Sequence, residues 1–169
     1  MTDSEQTVPP FSGLGLDDEL IRALDELGYE EPTPIQVAAI PPLLEGKDVI
    51  GSAATGTGKT AAFALPMVQM IKPGDGGVQA LVLAPTRELA VQVAEAIHRY
   101  GRFRSVKVLP VYGGQSIERQ LGALRRGVDV VVGTPGRILD HIRRRSLDLS
   151  TVRYVVLDEA DEMLDMGFI

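Results

Sequence analysis

Short hydrophobic runs alternate with helical patterns over most of the chain. The runs occupy residues 48–52, 80–84, 106–112, 128–132 and 153–157, and the helical patterns occupy residues 59–71, 87–103, 115–126 and 136–145. Runs this rich in valine and leucine are typical of strands that are buried on both faces. The alternation therefore predicts an α/β fold in which helices pack on either side of a mainly parallel sheet.

The segment before this alternation predicts two helices. Asp17 or Asp18 is placed to cap the first helix, and Gly28 is a natural end for it. The second helix is predicted to begin at Thr33-Pro34, because proline is tolerated in a first turn. Pro41-Pro42 is then expected to break or restart this helix.

Length and composition predict one soluble domain. The chain has 169 residues, of which 44% are hydrophobic and 24% are charged, as is typical of globular proteins. No apolar run approaches the roughly 20 residues that span a bilayer, and the polar N-terminus does not resemble a secretory signal. There are no cysteines, and His98 and His141 are expected on the surface. A cytoplasmic protein without membrane contact is the default expectation.

The net charge of −6 limits how this chain can bind nucleic acid. A protein whose main task is non-specific nucleic-acid binding usually carries a basic surface. The charge therefore argues against a histone-like protein. Any nucleic-acid contact is expected to come from a local patch or from backbone N–H groups.

A glycine-rich turn follows the first hydrophobic run. Residues 53–60 read Ala-Ala-Thr-Gly-Thr-Gly-Lys-Thr, between a predicted strand and a predicted helix, which is the context of a phosphate-binding loop. Gly56 and Gly58 permit close approach of the backbone to phosphate oxygens. Lys59 is expected against the β- and γ-phosphates, and the Thr60 hydroxyl on Mg²⁺. The alternative is an ordinary glycine-rich turn.

Two adjacent carboxylates follow the last hydrophobic run. Asp158 is placed to reach Mg²⁺, directly or through a water, and Glu159 is placed to orient and deprotonate an attacking water. The alternative is the solvated start of a helix, where acidic residues are favourable. Both motifs follow predicted parallel strands, and ligands bind at the carboxyl ends of such strands. The sequence therefore predicts one site that hydrolyses a nucleoside triphosphate.

Six motifs in order resemble the first RecA-like domain of DEAD-box RNA helicases, over residues 11–169. They are the Q-motif-like residues 28–36 with the upstream Phe11, the phosphate turn at residues 53–60, Pro85-Thr86-Arg87-Glu88-Leu89-Ala90, Gly113-Gly114, Thr134-Pro135-Gly136-Arg137 and Asp158-Glu159-Ala160-Asp161. The turn begins with alanine, as it does in that family. The resemblance implies a RecA-like P-loop NTPase domain with a three-layer α/β/α architecture.

The resemblance also assigns residues to ATP and Mg²⁺. Gln36 offers a donor and an acceptor that match adenine and mismatch guanine. Phe11 is implied to stack on the base, with core packing as its alternative, and Tyr29 is a weaker candidate. The residues implied to contact the nucleotide are Phe11, Tyr29, Gln36, Ala53, Ala54, Thr55, Gly56, Thr57, Gly58, Lys59 and Thr60. Lys59, Asp158 and Glu159 are implied to be catalytic, Thr60 and Asp158 to hold the metal, and Asp161 to couple hydrolysis to unwinding.

The remaining motifs are implied to hold the sugar-phosphate backbone of single-stranded RNA. They comprise Pro85, Thr86, Arg87, Gly113, Gly114, Thr134, Pro135, Gly136 and Arg137. Glycines and helix N-termini suit phosphate contacts, which position a strand without reading its sequence. For Arg137 the alternative is a surface ion pair. The three arginines at residues 143–145 are interpreted as a solvated helix end.

The resemblance implies that these 169 residues are part of a longer ATP-dependent RNA helicase. The Ser-Ala-Thr motif of the family and its second RecA-like domain are not found in the sequence. The chain is therefore divided into a flexible tail (1–10), a Q-motif helical region (11–46) and an incomplete RecA-like ATP-binding domain (47–169). With the second domain it is expected to unwind RNA duplexes or remodel ribonucleoproteins, and alone it is expected to be inactive in unwinding. The alternatives are a non-catalytic RNA-binding or interaction module and a P-loop ATPase that acts on DNA or proteins.

Overall fold

A computed structural model describes residues 7–167 of the chain. The chain divides into two compact units, Met1–Met70 and Ile71–Ile169. Of the predicted tail, residues 1–6 lie outside the described residues, and residues 7–10 have no regular secondary structure. The division of the sequence at residues 46 and 47 stays a prediction.

The described part of the first unit is helical. A 3₁₀ turn at Phe11–Leu14 precedes α1 (Asp18–Glu26), α2 (Pro34–Leu44) and α3 (Lys59–Met70). Gly28 follows α1 with a φ of +81°, as expected for the residue that ends a helix. The Gln69 side chain ties α3 to the segment before α1, since its oxygen accepts from the Asp17 backbone N–H at 2.7 Å and its nitrogen donates to the Gly15 carbonyl at 3.0 Å.

Helix α2 continues through Pro41-Pro42, so the expected break is wrong. Each proline lacks an N–H and removes one helical hydrogen bond. Helical bonding continues after them, because the Glu45 N–H donates to the Pro41 carbonyl at 3.2 Å, and the Lys47 N–H beyond the helix end donates to the Pro42 carbonyl at 3.1 Å. The prolines lie in the last turns of α2, and this helix packs on α3.

Residues 48–52 form no strand, so this prediction is wrong. Ile50 is fully exposed and Val49 is 39% exposed. A strand requires a neighbour that pairs with its backbone N–H and C=O groups. None of the strands in residues 7–167 pairs with this segment, and a hydrophobic sequence by itself does not replace that partner.

The second unit is built around a four-stranded sheet whose strand pairs are all parallel. The strands are β1 (Ala80–Leu83), β2 (Val108–Val111), β3 (Val130–Gly133) and β4 (Tyr154–Leu157), in the order β2-β3-β1-β4. Ala80 stands opposite Val130 on one side of β1 and opposite Tyr154 on the other. Three strands lie within predicted runs and β3 extends one residue beyond its run, which confirms four of the five predicted strands and the parallel arrangement.

Four helices accompany this sheet in the described part of the second unit. They are α4 (Arg87–Tyr100), α5 (Ile117–Arg126), α6 (Pro135–Arg143) and α7 (Ala160–Asp165). The first three confirm predicted helices, and α7 is the helix start that was given as the alternative for the acidic residues after the last hydrophobic run. The Thr86 hydroxyl caps α4 by accepting the Leu89 N–H at 3.2 Å.

Strands β1 and β3 are buried on both faces, as predicted. On one face Leu81 and Val131 join a cluster with Ile138 of α6. The alternate residues Val82 and Val132, which point to the opposite face, are also fully buried. The core of this unit is therefore centred on the two inner strands.

Strand β4 departs from the prediction of two-sided burial. Val155 is 62% exposed and Leu157 is 46% exposed. Within residues 7–167, β4 pairs only with β1 and forms an edge of the sheet. One face of this strand is therefore open to solvent.

Asp129 joins the start of β3 to two neighbouring segments. Its side chain is buried, and its two oxygens accept the backbone N–H groups of Lys107 at 2.9 Å and Gly74 at 3.2 Å. Both donors belong to segments without regular structure. This carboxylate therefore satisfies backbone groups that no strand or helix satisfies.

His141 of α6 is fully buried, so its expected surface position is wrong, whereas His98 is exposed. His141 Nε2 lies 2.8 Å from Gln120 Oε1, and Nδ1 lies 2.8 Å from Ser146 Oγ. An amide oxygen only accepts, so Nε2 carries the proton and donates to Gln120. In the neutral ring Nδ1 accepts from the Ser146 hydroxyl.

No helix within residues 7–167 is long and apolar enough to cross a membrane.

Replacing Asp129 is expected to weaken the second unit. In Asp129→Ala two N–H donors of part-buried hydrogen bonds lose their acceptor, at a cost of about 2 kcal/mol in the free energy of unfolding. Asp129→Asn keeps one acceptor oxygen and should cost less. Urea unfolding followed by circular dichroism measures both changes, with Asp75→Ala, an exposed carboxylate on the same loop as Gly74, as the control. Equal midpoints for Asp129→Ala and Asp75→Ala would contradict this role.

Stability is also expected to fall as the pH is lowered through the titration of His141. Burial first, and then the positive charges of Arg137 and Arg144, hold the pKa of His141 below its ordinary value of 6.5, with Asp140 acting in the opposite direction. The folded state therefore favours the neutral ring. Its contribution to stability is complete above the unfolded pKa and is lost as the pH falls through the lower pKa of the folded state.

Urea midpoints measured between about pH 7.5 and about pH 5, across the range in which histidine titrates, check this decline. His141→Gln keeps an N–H donor for Gln120 but does not titrate, so it should flatten the decline. His98→Gln is the matched exposed substitution. An unchanged decline in His141→Gln would assign the pH dependence to other groups.

Candidate functional site

The glycine-rich turn of the first unit has an open backbone. Gly56 and Gly58 have φ values of +81° and +83°, and a Cβ added at Gly56 would meet no atom within 4 Å. The Thr57 hydroxyl donates to the Ala54 carbonyl and closes the turn. Helix α3 begins directly after it at Lys59, so the unpaired N–H groups of its first turn and the positive end of its dipole lie beside the turn.

The chemistry of this turn fits a phosphate group. Residues 53–60 contain no acidic side chain, and Lys59 and Thr60 are partly exposed at the start of α3. Backbone N–H groups, an ammonium group and a hydroxyl are the groups that bind phosphate and its magnesium ion in loops of this kind. The sequence prediction of a turn that opens a helix is confirmed, although the strand before it is absent.

Gln36 of α2 connects this turn to the start of α2. Its side chain is 1% exposed. The amide nitrogen donates to the Gly58 carbonyl at 3.1 Å, and the amide oxygen accepts the Thr33 backbone N–H at 2.9 Å. A Cβ on residue 58 would come within 2.3 Å of that nitrogen, so Gly58 is required for this close approach as well as for its positive φ. The adenine contact of Gln36 stays a prediction.

The two aromatic residues of the predicted base site contact each other. Phe11 is buried, and its ring meets that of Tyr29 edge to face, with centroids 6.1 Å apart and planes at 71°. Tyr29 is 36% exposed. Packing, the alternative for Phe11, is therefore observed, and stacking on a base stays a prediction.

The predicted catalytic carboxylates lie at the end of β4 in the second unit. The Asp158 N–H donates to the Leu83 carbonyl at 2.9 Å and continues the β1–β4 ladder. Asp158 is 9% exposed. Glu159 follows in the left-handed conformation, with φ 52° and ψ 50°. This conformation costs a non-glycine residue about 1–2 kcal/mol, and such strain clusters at functional positions.

Acidic side chains crowd the start of α7. Asp161 is exposed in its first turn. The negative charge of Glu159 is the main cause that raises the pKa of Glu162 above its ordinary value. The negative charges of Glu159 and Glu162 therefore repel each other at the start of α7.

The three motifs predicted to bind RNA meet at one edge of the sheet. Each follows the carboxyl end of a strand: residues 85–87 follow β1, residues 113–114 follow β2, and residues 134–137 follow β3. Arg87 is exposed, and a Cβ added at Gly114 would lie 3.3 Å from its Nη1 atom. The parallel order of the strands therefore places these loops side by side.

Within these motifs the side chains differ in accessibility. Pro85 and Pro135 are buried, whereas Thr86, Gly113 and Gly136 are exposed. Thr134 is partly exposed and precedes α6, of which Pro135 is the first residue. Contacts to RNA from the exposed residues stay predictions.

Arg137 is held by other side chains of its own unit. Its Nη1 atom donates to the Gln115 carbonyl at 3.3 Å and to Gln120 Oε1 at 3.2 Å, and its Nε atom lies 3.8 Å from Asp140 Oδ2. The side chain is 15% exposed. The ion pair given as the alternative for Arg137 is present, together with hydrogen bonds that were not foreseen.

The sequence prediction missed Gln120 and His141. Gln120 lies on the same helical face as Ile117, Leu121 and Leu124 of α5, and it is 1% exposed. A polar residue on an otherwise apolar face was the signal that should have drawn attention to it. The arginines at residues 143–145, by contrast, are exposed around the end of α6, as predicted.

The predicted residues are thus distributed over both units. The turn, Gln36 and the aromatic pair belong to the first unit, and the carboxylates and the predicted RNA-binding loops belong to the second. Within residues 7–167 no group of three or more histidine, aspartate or glutamate side chains is close enough to hold a metal ion. Mg²⁺ binding therefore stays a prediction.

Comparison with known proteins identifies relatives over nearly the whole chain. A family model described as DEAD/DEAH box helicase matches residues 33–169. The DEAD-box ATP-dependent RNA helicase CshA of Geobacillus kaustophilus is 58% identical over 159 residues, which cover 94% of this chain and 34% of that protein. The Bacillus subtilis protein of the same name is 55% identical, with 94% and 32% covered.

A solved structure has the same fold. It is the crystal structure of a DEAD box protein from the hyperthermophile Methanococcus jannaschii, with a TM-score of 0.90 and 46% sequence identity, covering 95% of this chain and 44% of that one. This likeness confirms the predicted RecA-like α/β fold.

The chain spans about a third of the length of the relatives it matches. The family match covers more than half of its residues, and the order of motifs, the parallel sheet and the solved structure agree with it. The chain therefore belongs to the DEAD/DEAH box helicase family.

Proposed function

We propose that the chain supplies the ATP-binding part of an ATP-dependent RNA helicase. The observation that carries this proposal is the open glycine-rich turn at the start of α3, with Lys59 in the first helical turn. Backbone N–H groups and the ammonium group neutralise phosphate charge without a change in conformation. Residues 53–60 are proposed to hold the phosphates, and Lys59 to contact the β- and γ-phosphates.

Gln36 is proposed to select adenine. Its amide already makes one bond through each end, but each end retains capacity for a second, because an amide nitrogen has two hydrogens and an amide oxygen two lone pairs. Because the same amide donates to the Gly58 carbonyl, binding of the base would be coupled to the conformation of the turn. Phe11 and Tyr29 are proposed to pack beside the base.

Asp158 and Glu159 are proposed to carry the hydrolytic chemistry. Glu159 would orient the attacking water and accept its proton. Thr60 and Asp158 are each proposed as an oxygen ligand of Mg²⁺, the ligand type that this ion prefers. When bound, Mg²⁺ neutralises charge that develops on the phosphates.

The loops after β1, β2 and β3 are proposed to hold the RNA backbone. Their exposed glycines and the N-termini of α4 and α6 supply N–H groups, and Arg87 and Arg137 supply charge. Such a local site is compatible with a net charge of −6. The relatives are named ATP-dependent RNA helicases, and on this ground we propose local RNA unwinding in the cytoplasm, with a second RecA-like domain as partner and Asp161 coupling it to hydrolysis.

Adenine-specific nucleotide binding is tested by thermal unfolding with Mg²⁺ and either ADP or GDP. A ligand at 100 times its dissociation constant adds about 2.7 kcal/mol to the stability of the state that binds it. ADP should raise the melting temperature and GDP should not. Lys59→Ala should abolish the ADP shift, and Lys72→Ala, an exposed lysine outside the turn, should keep it.

Two results would contradict the proposal in different ways. Equal shifts with ADP and GDP would remove the role of Gln36 but leave the phosphate turn. A shift that Lys59→Ala retains would place the nucleotide elsewhere on the chain.

Glu159→Gly is expected to stabilise the protein while removing the proposed base. Glycine adopts the left-handed conformation without steric cost, so we expect a gain of about 0.5–1 kcal/mol after its greater backbone entropy in the unfolded state is subtracted. Glu159→Gln removes the same carboxylate and keeps the strain. Melting temperatures of both variants separate the backbone effect from the charge effect.

The charge effect has its own readout. Glu159→Gln should lower the pKa of Glu162 toward its ordinary value, because the charge of Glu159 is the main cause of the upward shift. A melting temperature for Glu159→Gly below that of Glu159→Gln would show that the left-handed conformation is not a source of strain.

A further inference from the structure

Two of the three nitrogens of the Arg137 guanidinium group have partners. Nη1 donates both of its hydrogens, to the Gln115 carbonyl and to Gln120 Oε1, and Nε faces Asp140. Nη2 has no hydrogen-bond partner within residues 7–167. Because the guanidinium is rigid and planar, fixing Nη1 also fixes the direction of the free Nη2 edge.

Gln120 is the residue that organises this arrangement. Its oxygen accepts from Arg137 Nη1 at 3.2 Å and from His141 Nε2 at 2.8 Å. Its nitrogen donates to the Tyr112 carbonyl at 3.0 Å and to Gln115 Oε1 at 3.1 Å. All four hydrogen-bonding positions of the amide are used, in a side chain that is 1% exposed. Neither a carboxylate nor an apolar side chain reproduces two donors and two acceptors.

The partners of Gln120 belong to two different motifs. Tyr112 and Gln115 flank the exposed pair Gly113-Gly114, and Arg137 ends the motif that follows β3. His141 lies one helical turn after Arg137 on α6 and donates a hydrogen bond to the same oxygen, Gln120 Oε1. One buried amide therefore sets the conformation of the glycine loop and the orientation of the arginine together.

We propose that Gln120, supported by His141, is a positioning residue that pre-organises the Gly113-Gly114 loop and Arg137 for an RNA phosphate. The inference rests on the proposed function, in which these two motifs hold the RNA backbone. Ordering a long side chain and a glycine loop at the moment of binding lowers affinity. The buried amide of Gln120 already orders both groups in the free protein, so RNA binding would not have to supply the free energy for that ordering.

The test measures binding of a fluorescent single-stranded oligouridylate to the chain over a series of salt concentrations. Each phosphate contact to a basic side chain contributes about 0.7 to the slope of log affinity against log salt for a single strand. Arg137→Gln should weaken binding about tenfold, as expected for a charged hydrogen bond, and should reduce the slope by about 0.7. Gln120→Met should give the same two changes although Arg137 is intact. The double variant should bind no more weakly than either single variant.

Two controls separate positioning from packing. Gln92→Met makes the same chemical change at an exposed site on α4 and should bind as the unaltered chain does. His141→Gln retains an N–H donor for Gln120 and should leave the salt slope unchanged. His141→Leu removes that donor and should reduce the slope by about 0.7, as Arg137→Gln does. Should Gln120→Met fail to fold, this His141 pair carries the test.

The outcomes are distinguishable. If Arg137→Gln lowers affinity and slope but Gln120→Met and His141→Leu leave the slope unchanged, Gln120 only stabilises the unit, and the inference is overturned while the proposed function stands. If Arg137→Gln also leaves affinity and slope unchanged, the RNA contact proposed for Arg137 is wrong. An unaltered chain without salt-dependent RNA binding would contradict both.

Discussion

The second unit depends on the two ladders that β1 makes at once. It pairs in parallel with β3 on one side and with β4 on the other, and its residues are almost wholly buried. Parallel pairing brings the carboxyl ends of the strands to one edge, so the loops that follow β1, β3 and β4 emerge side by side. Asp158 shows this directly, because its N–H extends the ladder to the Leu83 carbonyl. Without the ladder the carboxylates and the predicted RNA-binding loops would have no common location.

Two buried glutamine side chains hold irregular segments of the chain in place by hydrogen bonds. Gln36 joins α2 to the phosphate turn, and Gln120 joins the glycine loop to Arg137. Each is 1% exposed, and each uses both ends of its side chain. Since a loop has no ladder of its own, its backbone groups need partners from elsewhere. Glutamine supplies a donor and an acceptor from one position, which explains why both loops rely on it.

Local strain and charge are concentrated where the chemistry is proposed. Glu159 occupies the left-handed region, and its charge raises the pKa of Glu162. The left-handed conformation lowers stability. The position of both features after β4, beside Asp158, is consistent with a segment selected for reactivity at some expense in stability. The buried His141 is a different case, since its hydrogen bonds support the fold.

Periodicity and motif order alone determined the family, four of the five predicted strands, and the helices α3 to α6. These features are local or depend on residue type, so they can be predicted from the sequence alone. Tertiary structure decided the rest. Residues 48–52 have the composition of a strand but no partner among the strands of residues 7–167, α2 passes through Pro41-Pro42 while it packs on α3, and His141 is buried because Gln120 and Ser146 satisfy both ring nitrogens. In each case the outcome depends on a residue distant along the chain, and periodicity does not contain that information.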